Sequence, residues 1–316
     1  MEIKLLKEVL ECLNDGRRLV HYFDDKYALY LLEKFCESNK SDKHSEIQIR
    51  QIKNSCFSKL LNKPSIVNLL SELGDGKLSS NRLQQVSAKQ FDSYVITLSQ
   101  WGKKEDYPWE QTSVPGSNLV LQLNLTNEHD QLLRDLQIDS EPFRYDGHPI
   151  HSVKSSLSWA RIDFNFETGE ALIEEIQNDW LRIASRHAEF AKRARLNGRT
   201  FYRRWGIRYK ATNMLEYTQS LLSKHKKNWQ EITMFYAIKL IKQEIGINKI
   251  FYHSYETGAL LKNIKGRLPP RSLYTDLPKR FCFTPSESGP EFITKDCRVK
   301  RKLKKAKTEN WFCLSL

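Results

Sequence analysis

The residues most able to do chemistry fall in one run, Glu174-Glu175-Ile176-Gln177-Asn178-Asp179-Trp180. Alternation along an extended chain puts Glu175, Gln177 and Asp179 on one face. Carboxylates so placed could transfer protons or hold a cation, and the glutamine between them could orient a substrate. The same pattern also suits an exposed sheet face, or carboxylates buried against Arg161 or Arg182. His253 is a further acid–base candidate. Phe251 and Tyr255 share its face of a short strand, so that face also reads as core. His148 and His151 sit three apart beside a turn, with no third ligand close in sequence to complete a metal site.

Charge supplies the second signal. The 316 residues carry a formal charge of +13. Residues 181–230 hold 13 Lys/Arg against two acids, and residues 295–310 hold eight against two. The rest of the chain is slightly acidic. Two basic blocks on such a body point to a polyanion, nucleic acid first, through Arg182, Arg186, Arg193, Arg199, Arg203, Arg204, Arg208 and Lys210, and through Lys300, Arg301 and Lys302. In the first block Phe201, Tyr202, Trp205 and Tyr209 interleave with the arginines. Arginine beside exposed aromatics suits single-stranded or looped nucleic acid. The alternative is that the aromatics only anchor the segment to the core.

These groups need a scaffold, and the pattern predicts an α+β protein in three parts. Residues 1–90 read as helices, at 17–37, 45–61, 65–73 and 79–86, with Gly74-Asp75-Gly76 as a turn. Residues 91–290 form a mixed body. Strands are expected at 94–98 and 119–125, with an aromatic loop at 101–118 holding Tyr107-Pro108-Trp109 between them. A hairpin is expected from 155–166 and 170–180, and helices at 181–196, 207–224 and 228–245. A strand at 249–255, a helix at 257–264 and a last strand at 280–283 complete it. Residues 291–316 read as a basic tail.

The six cysteines include no C-x-x-C pair, and the charged N-terminus lacks a signal peptide's apolar core, so reduced thiols and a cytosolic location are expected. No apolar run is long enough for a membrane span. The phosphate loop G-x-x-x-x-G-K-S/T, the dinucleotide fingerprint G-x-G-x-x-G, the zinc motif H-E-x-x-H and the serine elbow G-x-S-x-G are all missing. The sequence assigns no reaction, cofactor, protein partner or oligomeric state.

Two resemblances extend this reading. Leu172-Ile173-Glu174-Glu175-Ile176-Gln177-Asn178-Asp179-Trp180 resembles a Glu-Ile-Gln-(Ser/Asn)-Asp-Trp signature in domains of phage and mobile-element polyvalent proteins. That resemblance covers about residues 155–285 and implies a biological setting rather than a reaction. The element order is also similar to the second half of the GNAT acetyltransferase superfamily. There, Tyr274 in Leu273-Tyr274-Thr275-Asp276-Leu277-Pro278-Lys279-Arg280-Phe281 would match the closing tyrosine that protonates a leaving thiolate. The superfamily's glycine-rich pyrophosphate loop has no counterpart in 181–186, so the resemblance implies a GNAT-like fold with another cofactor or none. The expected function is thus a nucleic-acid-associated protein with a polar cleft. The alternatives are a transferase acting on a small molecule or protein, and a non-enzymatic adaptor.

Overall fold

The chain builds one long mixed sheet because its most apolar segments are short, rich in Leu, Ile and Val, and spaced by polar turns. The computed structural model describes residues 1–13, 16–39, 46–102, 111–264, 269–306 and 310–316. In chain order the elements are α1 (Ile3–Cys12), β1 (Arg18–Tyr22), α2 (Lys26–Ser38), β2 (Glu46–Gln48), α3 (Ile49–Lys53), α4 (Pro64–Ser71), β3 (Lys77–Ser79) and α5 (Ser80–Gln85). Then come β4 (Asp92–Trp101), β5 (Asn118–Asn124), α6 (Asn127–Asp135), β6 (Ser156–Asn165), β7 (Glu170–Gln177), α7 (Trp180–Leu196), β8 (Phe201–Arg204), β9 (Ile207–Lys210), α8 (Ala211–His225) and α9 (Trp229–Leu240). The chain closes with β10 (Lys249–His253), α10 (Tyr255–Leu261), α11 (Ser272–Arg280), β11 (Thr284–Ser286), α12 (Glu291–Thr294), α13 (Cys297–Ala306) and β12 (Trp311–Ser315).

Eight strands form the sheet in the order β1-β4-β5-β6-β7-β10-β12-β11. All neighbours are antiparallel except β7 and β10, which run parallel across the α7–α9 connection. Such a crossover is what a parallel pair requires. The fold is therefore α+β. Alternation sorts the sheet's two faces. Tyr94, Leu121, Ala160, Ile162, Ile173 and Tyr252 point into the larger core under α7, α8 and α9. Leu172, Phe251 and Trp311 face the other way, against Ile293, Val299 and Leu303 of α12 and α13. Helix α9 is buried almost throughout because it lies between the sheet and α2, where Tyr30 meets Phe235 edge-on.

Several expectations need correction. The stretch 17–37 is not one helix. Asp25 takes a left-handed φ of 65° and separates the edge strand β1 from α2. Residues 1–90 are helix-rich but supply that edge strand to the sheet, so they are not a separate helical unit. The turn at 74–76 leads into β3, which pairs with β2, rather than directly into a second helix. Residues 207–210 form β9 and not the first turn of α8. The expected strand at 280–283 lies at the end of α11 and just beyond it.

The largest correction concerns 291–316, which is not a free tail. Helix α13 buries Val299 and Leu303 one turn apart, and β12 lies between β10 and β11. Trp311 is 1% exposed and packs on His253 at 4.9 Å. A Cβ on Gly289 would come within 2.3 Å of the Trp311 ring, so only glycine lets the chain pass there. Trp311→Ala is expected to cost about 3–5 kcal/mol, the range for emptying a buried aromatic site, measured by urea unfolding. A free tail would lose nothing.

Cys36 and Cys282 are buried, and burial pushes both thiols up to about 12, so they pack rather than react. Among the described residues, no helix is long and apolar enough to cross a membrane. The aromatics Tyr107 and Trp109 of the expected functional loop lie outside the described residues.

Candidate functional site

The site arises where the parallel pair comes apart. Strand β10 pairs with β7 from Lys249 opposite Glu170 to Tyr252 opposite Ile173, and the register ends there. Strand β7 runs on to Gln177 without a β10 partner. On its other edge, Arg161 opposes Glu175 while Ile162 opposes Ile173, so Glu174 is an extra, bulged residue. A bulge of this kind re-aims side chains. It brings Glu174 and Glu175 together, where simple alternation had set them on opposite faces.

Both carboxylates are buried, and cations hold Glu175 directly. Arg161, 2% exposed, donates to the Glu175 carboxylate and to the Gln111 carbonyl at 2.9 Å. Lys262, 1% exposed, fills the gap between the parted strands. Its ammonium donates to the Glu174 carbonyl at 3.1 Å and lies 3.7 Å from the Glu175 carboxylate and 3.4 Å from the Tyr274 hydroxyl. Burial alone would raise the Glu175 carboxyl, but Lys262 and Arg161 outweigh it and keep it below the usual range. Burial likewise lowers the Lys262 ammonium, against the pull of Glu175.

Glu174 accepts from the Ser113 amide at 3.1 Å, the Ser113 hydroxyl at 2.8 Å and His253 Nε2 at 3.1 Å. Ser113 Oγ is also 2.9 Å from that same Nε2. A nucleophilic triad would need serine and carboxylate on opposite imidazole nitrogens. Here both meet one nitrogen, and His253 Nδ1 is buried without a partner. The trio is a structural lock. Burial holds the His253 imidazole below its usual range, so it stays neutral while donating to Glu174. Burial also opposes ionisation of Glu174, yet the bond from His253 and the charges of Arg161 and Lys262 bring its carboxyl down to about 2. A folded value below the unfolded 4.5 means that the stabilisation is complete above about pH 4.5 and fades as pH falls toward 2. Glu174→Gln should therefore flatten the acid limb of a stability-against-pH curve measured by urea unfolding. A limb as steep as the parent's would contradict this reading.

Glu175 is the member of the cluster that reaches a cleft. The cleft has a volume of about 620 Å³, and its walls include Gln111, Gln177, Asn178, Arg182, Ser185, Lys226, Trp229 and Leu273. Asn178 starts α7 by accepting the Leu181 amide at 2.8 Å. Its own Nδ2 is buried without a hydrogen-bond partner.

Asp179 lies past the end of β7, at the start of α7, so it is not on the strand face with Glu175 and Gln177. It gathers a second cluster. His148 Nδ1 lies 2.6 Å from its carboxylate, Gln177 donates at 3.0 Å, Trp159 Nε1 at 3.5 Å, and Arg182 also donates. Burial is again outweighed, here by the His148 bond and then by Arg182, and the Asp179 carboxyl sits below its usual range. The same His148 Nδ1 lies 2.9 Å from the Gln177 amide nitrogen, and the His148 side chain is 25% exposed. This pairing of carboxylate and imidazole can move a proton. The partners are 31 residues apart, and nothing in the sequence linked them.

The other expected site residues are dispersed. His253 is fully buried and does not line the cleft. Tyr274 is 2% exposed, stacked on Tyr252, and its hydroxyl is held well above its usual range by burial and by Glu175. It therefore supports the floor of the cluster and is not presented to the cleft. His151 accepts the Val153 and Lys154 amides, both at 3.0 Å, and so organises its own turn. Among the described residues, no group of three or more His, Cys, Asp or Glu side chains is placed to hold a metal ion.

The basic residues divide between the two sides of the sheet. Arg182, Arg186 and Arg193 follow one another along α7, and Arg199, Arg203, Arg204, Arg208 and Lys210 continue onto the β8–β9 hairpin. Lys300 and Arg301 are exposed on α13, across the sheet. Lys302 is tied to the Leu261 carbonyl at 3.0 Å and anchors α13 rather than facing solvent freely. Comparison of the chain with protein-family models, curated proteins and solved structures finds no match.

Proposed function

We propose that the protein binds nucleic acid along α7 and the β8–β9 hairpin and leads it to the cleft at the end of β7. The observation that carries this reading is the placement of Arg182 and Arg186. Arg182 lines the cleft, and Arg186 follows one turn later on the same helix. Phe190, a further turn on, carries the guanidinium of Arg204 from the hairpin at 4.5 Å. Arg193 extends the row. Positions three and four apart share a helix face, so these cations run along one side of α7 toward the hairpin, with the exposed Glu189 as the one acid of the helix. Phosphates spaced along a strand are the natural counter-charge for such a row.

Glu175 lines the cleft but is held ionised by Lys262 and Arg161. The His148–Asp179 pair, joined to the cleft wall through Gln177, is the group able to accept or return a proton. Arg182 and Lys226, both exposed in the cleft wall, are the groups able to hold an anionic ligand atom. These groups support the reading of an enzyme acting on the bound strand, in the phage or mobile-element setting that the Glu-Ile-Gln-Asn-Asp-Trp run suggests. The test is binding of labelled single- and double-stranded oligonucleotides to the full chain, with affinity expected to fall as salt rises.

One observation favours a second reading. The cleft opens beside the N-terminus of α7, which follows β7 in the element order similar to the GNAT superfamily, and on that likeness the cleft would take a phosphorylated donor. That reading predicts a saturable rise in melting temperature with one acyl or nucleotide donor and none with oligonucleotides.

A further inference from the structure

Among the described residues, the β8–β9 hairpin pairs with no other strand. A two-stranded ribbon is marginal alone, so something must hold it. One face does so. The Tyr202 hydroxyl bonds His187 Nδ1 at 2.7 Å, Tyr202 stacks on Tyr209 with centroids 5.2 Å apart, and Tyr209 meets His187 edge-on at 5.0 Å. The opposite face carries Phe201, Arg203, Arg208 and Lys210, all exposed. Among the described residues, none of these three cations has a carboxylate partner. Residues 199–210 contain five Lys/Arg and no acid.

The tip is more informative still. Trp205 and Gly206 both take left-handed φ, 48° and 80°, as a two-residue hairpin turn of this kind requires. Gly206 does so without strain. A tryptophan there is strained, and turn chemistry would choose Asn or Asp. Trp205 is also 61% exposed, and among the described residues its ring contacts are the Arg204 guanidinium and the tilted His187 ring, 6.0 Å between centroids. Its position is nonetheless defined. The Arg204 guanidinium lies 4.5 Å from the Phe190 centroid and 4.2 Å from that of Trp205. Ring, guanidinium and ring form a short ladder whose last layer is an indole facing solvent.

We propose that this hairpin is a clamp for single-stranded nucleic acid, in which an unpaired base stacks on Trp205 as the next layer of the ladder. Arg203, Arg208 and Lys210 hold the flanking phosphates. The inference rests on the nucleic-acid reading above and specifies its substrate. Single strands fit and duplexes do not, because bases inside a duplex are already stacked on their neighbours and have no face to offer.

The test uses the full chain with a labelled oligo-dT of about 20 nucleotides, a duplex of equal length, and vesicles containing phosphatidylserine. Trp205 is exposed, so Trp205→Ala should keep the parent's melting temperature. It is expected to weaken oligo-dT binding about tenfold, to leave duplex binding within about twofold, and to abolish part of the tryptophan quenching that oligo-dT causes. Trp205→Phe should restore most of the affinity. Equal losses on single strand and duplex, or full affinity in Trp205→Ala, would overturn the clamp while leaving nucleic-acid binding intact. If the parent protein binds neither oligonucleotide, the broader reading fails and the clamp fails with it. Vesicle binding that depends on Trp205, without oligonucleotide binding, would reassign the tip to a lipid surface.

Discussion

Lys262→Met is expected to lower the free energy of unfolding by about 3–5 kcal/mol at neutral pH, the range for removing one partner from a buried ionic group. The reason is local. Lys262 is 1% exposed and fills the gap left where β7 and β10 part. Methionine keeps most of the volume, so the loss reports charge and not packing. Without the ammonium, two adjacent buried carboxylates share Arg161 as their nearest permanent cation, and the Glu174 carbonyl loses a donor. Combining Lys262→Met with Glu175→Gln removes one charge of each sign, and the double variant should recover a substantial part of the loss. Urea unfolding of the two single variants and the pair gives that coupling directly. A loss under about 1 kcal/mol for Lys262→Met would mean that the ammonium is not buried among these groups.

Arg203→Glu combined with Arg208→Glu should weaken single-strand binding about 100-fold near 0.1 M salt. It should also reduce the slope of log affinity against log salt by about 1.4, since each lost phosphate contact on a single strand removes about 0.7. Both side chains are exposed and oppose one another across the hairpin, so the fold should lose no more than about 0.5 kcal/mol. Lys300→Glu with Arg301→Glu makes the informative comparison. Those residues carry the same charge but sit on α13, across the sheet from α7. A smaller effect there would assign binding to one face. An equal effect would show that net charge alone governs binding.

How much of this was legible in the sequence depended on the range of the interactions. The β6–β7 hairpin, helix α7 and the stop at Gly246 of the helical run 229–245, whose last turn is a π-helix after α9, were readable, because alternation, helical spacing and a glycine at φ 82° are local signals. Clustering of the arginines was readable by counting. The Glu174 bulge was not, since one extra residue in a strand leaves every residue type unchanged while moving a side chain to a new neighbour. Lys262 follows Leu260 and Leu261 on what looks like an amphipathic helix, where a lysine ordinarily marks the solvent side. Its burial is decided by β7, far away in sequence. The His148–Asp179 contact is hidden for the same reason. Strand β12 was missed because five residues after a basic run resemble a tail, and only the open edge of β10 makes them a strand. The β8–β9 hairpin was missed because its strands are four residues each, too short for alternation to stand out from the helix that follows, and a tryptophan at the first turn position is no turn signal.

The central claim is that α7 and the hairpin form a nucleic-acid surface, and one titration tests it most directly. A labelled single strand of about 20 nucleotides is bound by the full chain from about 0.05 to 0.3 M salt, and log affinity is plotted against log salt. The account predicts submicromolar binding at the low end and a slope near −3 or steeper, equivalent to four or more phosphate contacts at about 0.7 each. A slope near zero, or no binding at about 10 μM protein in the lowest salt, would contradict it.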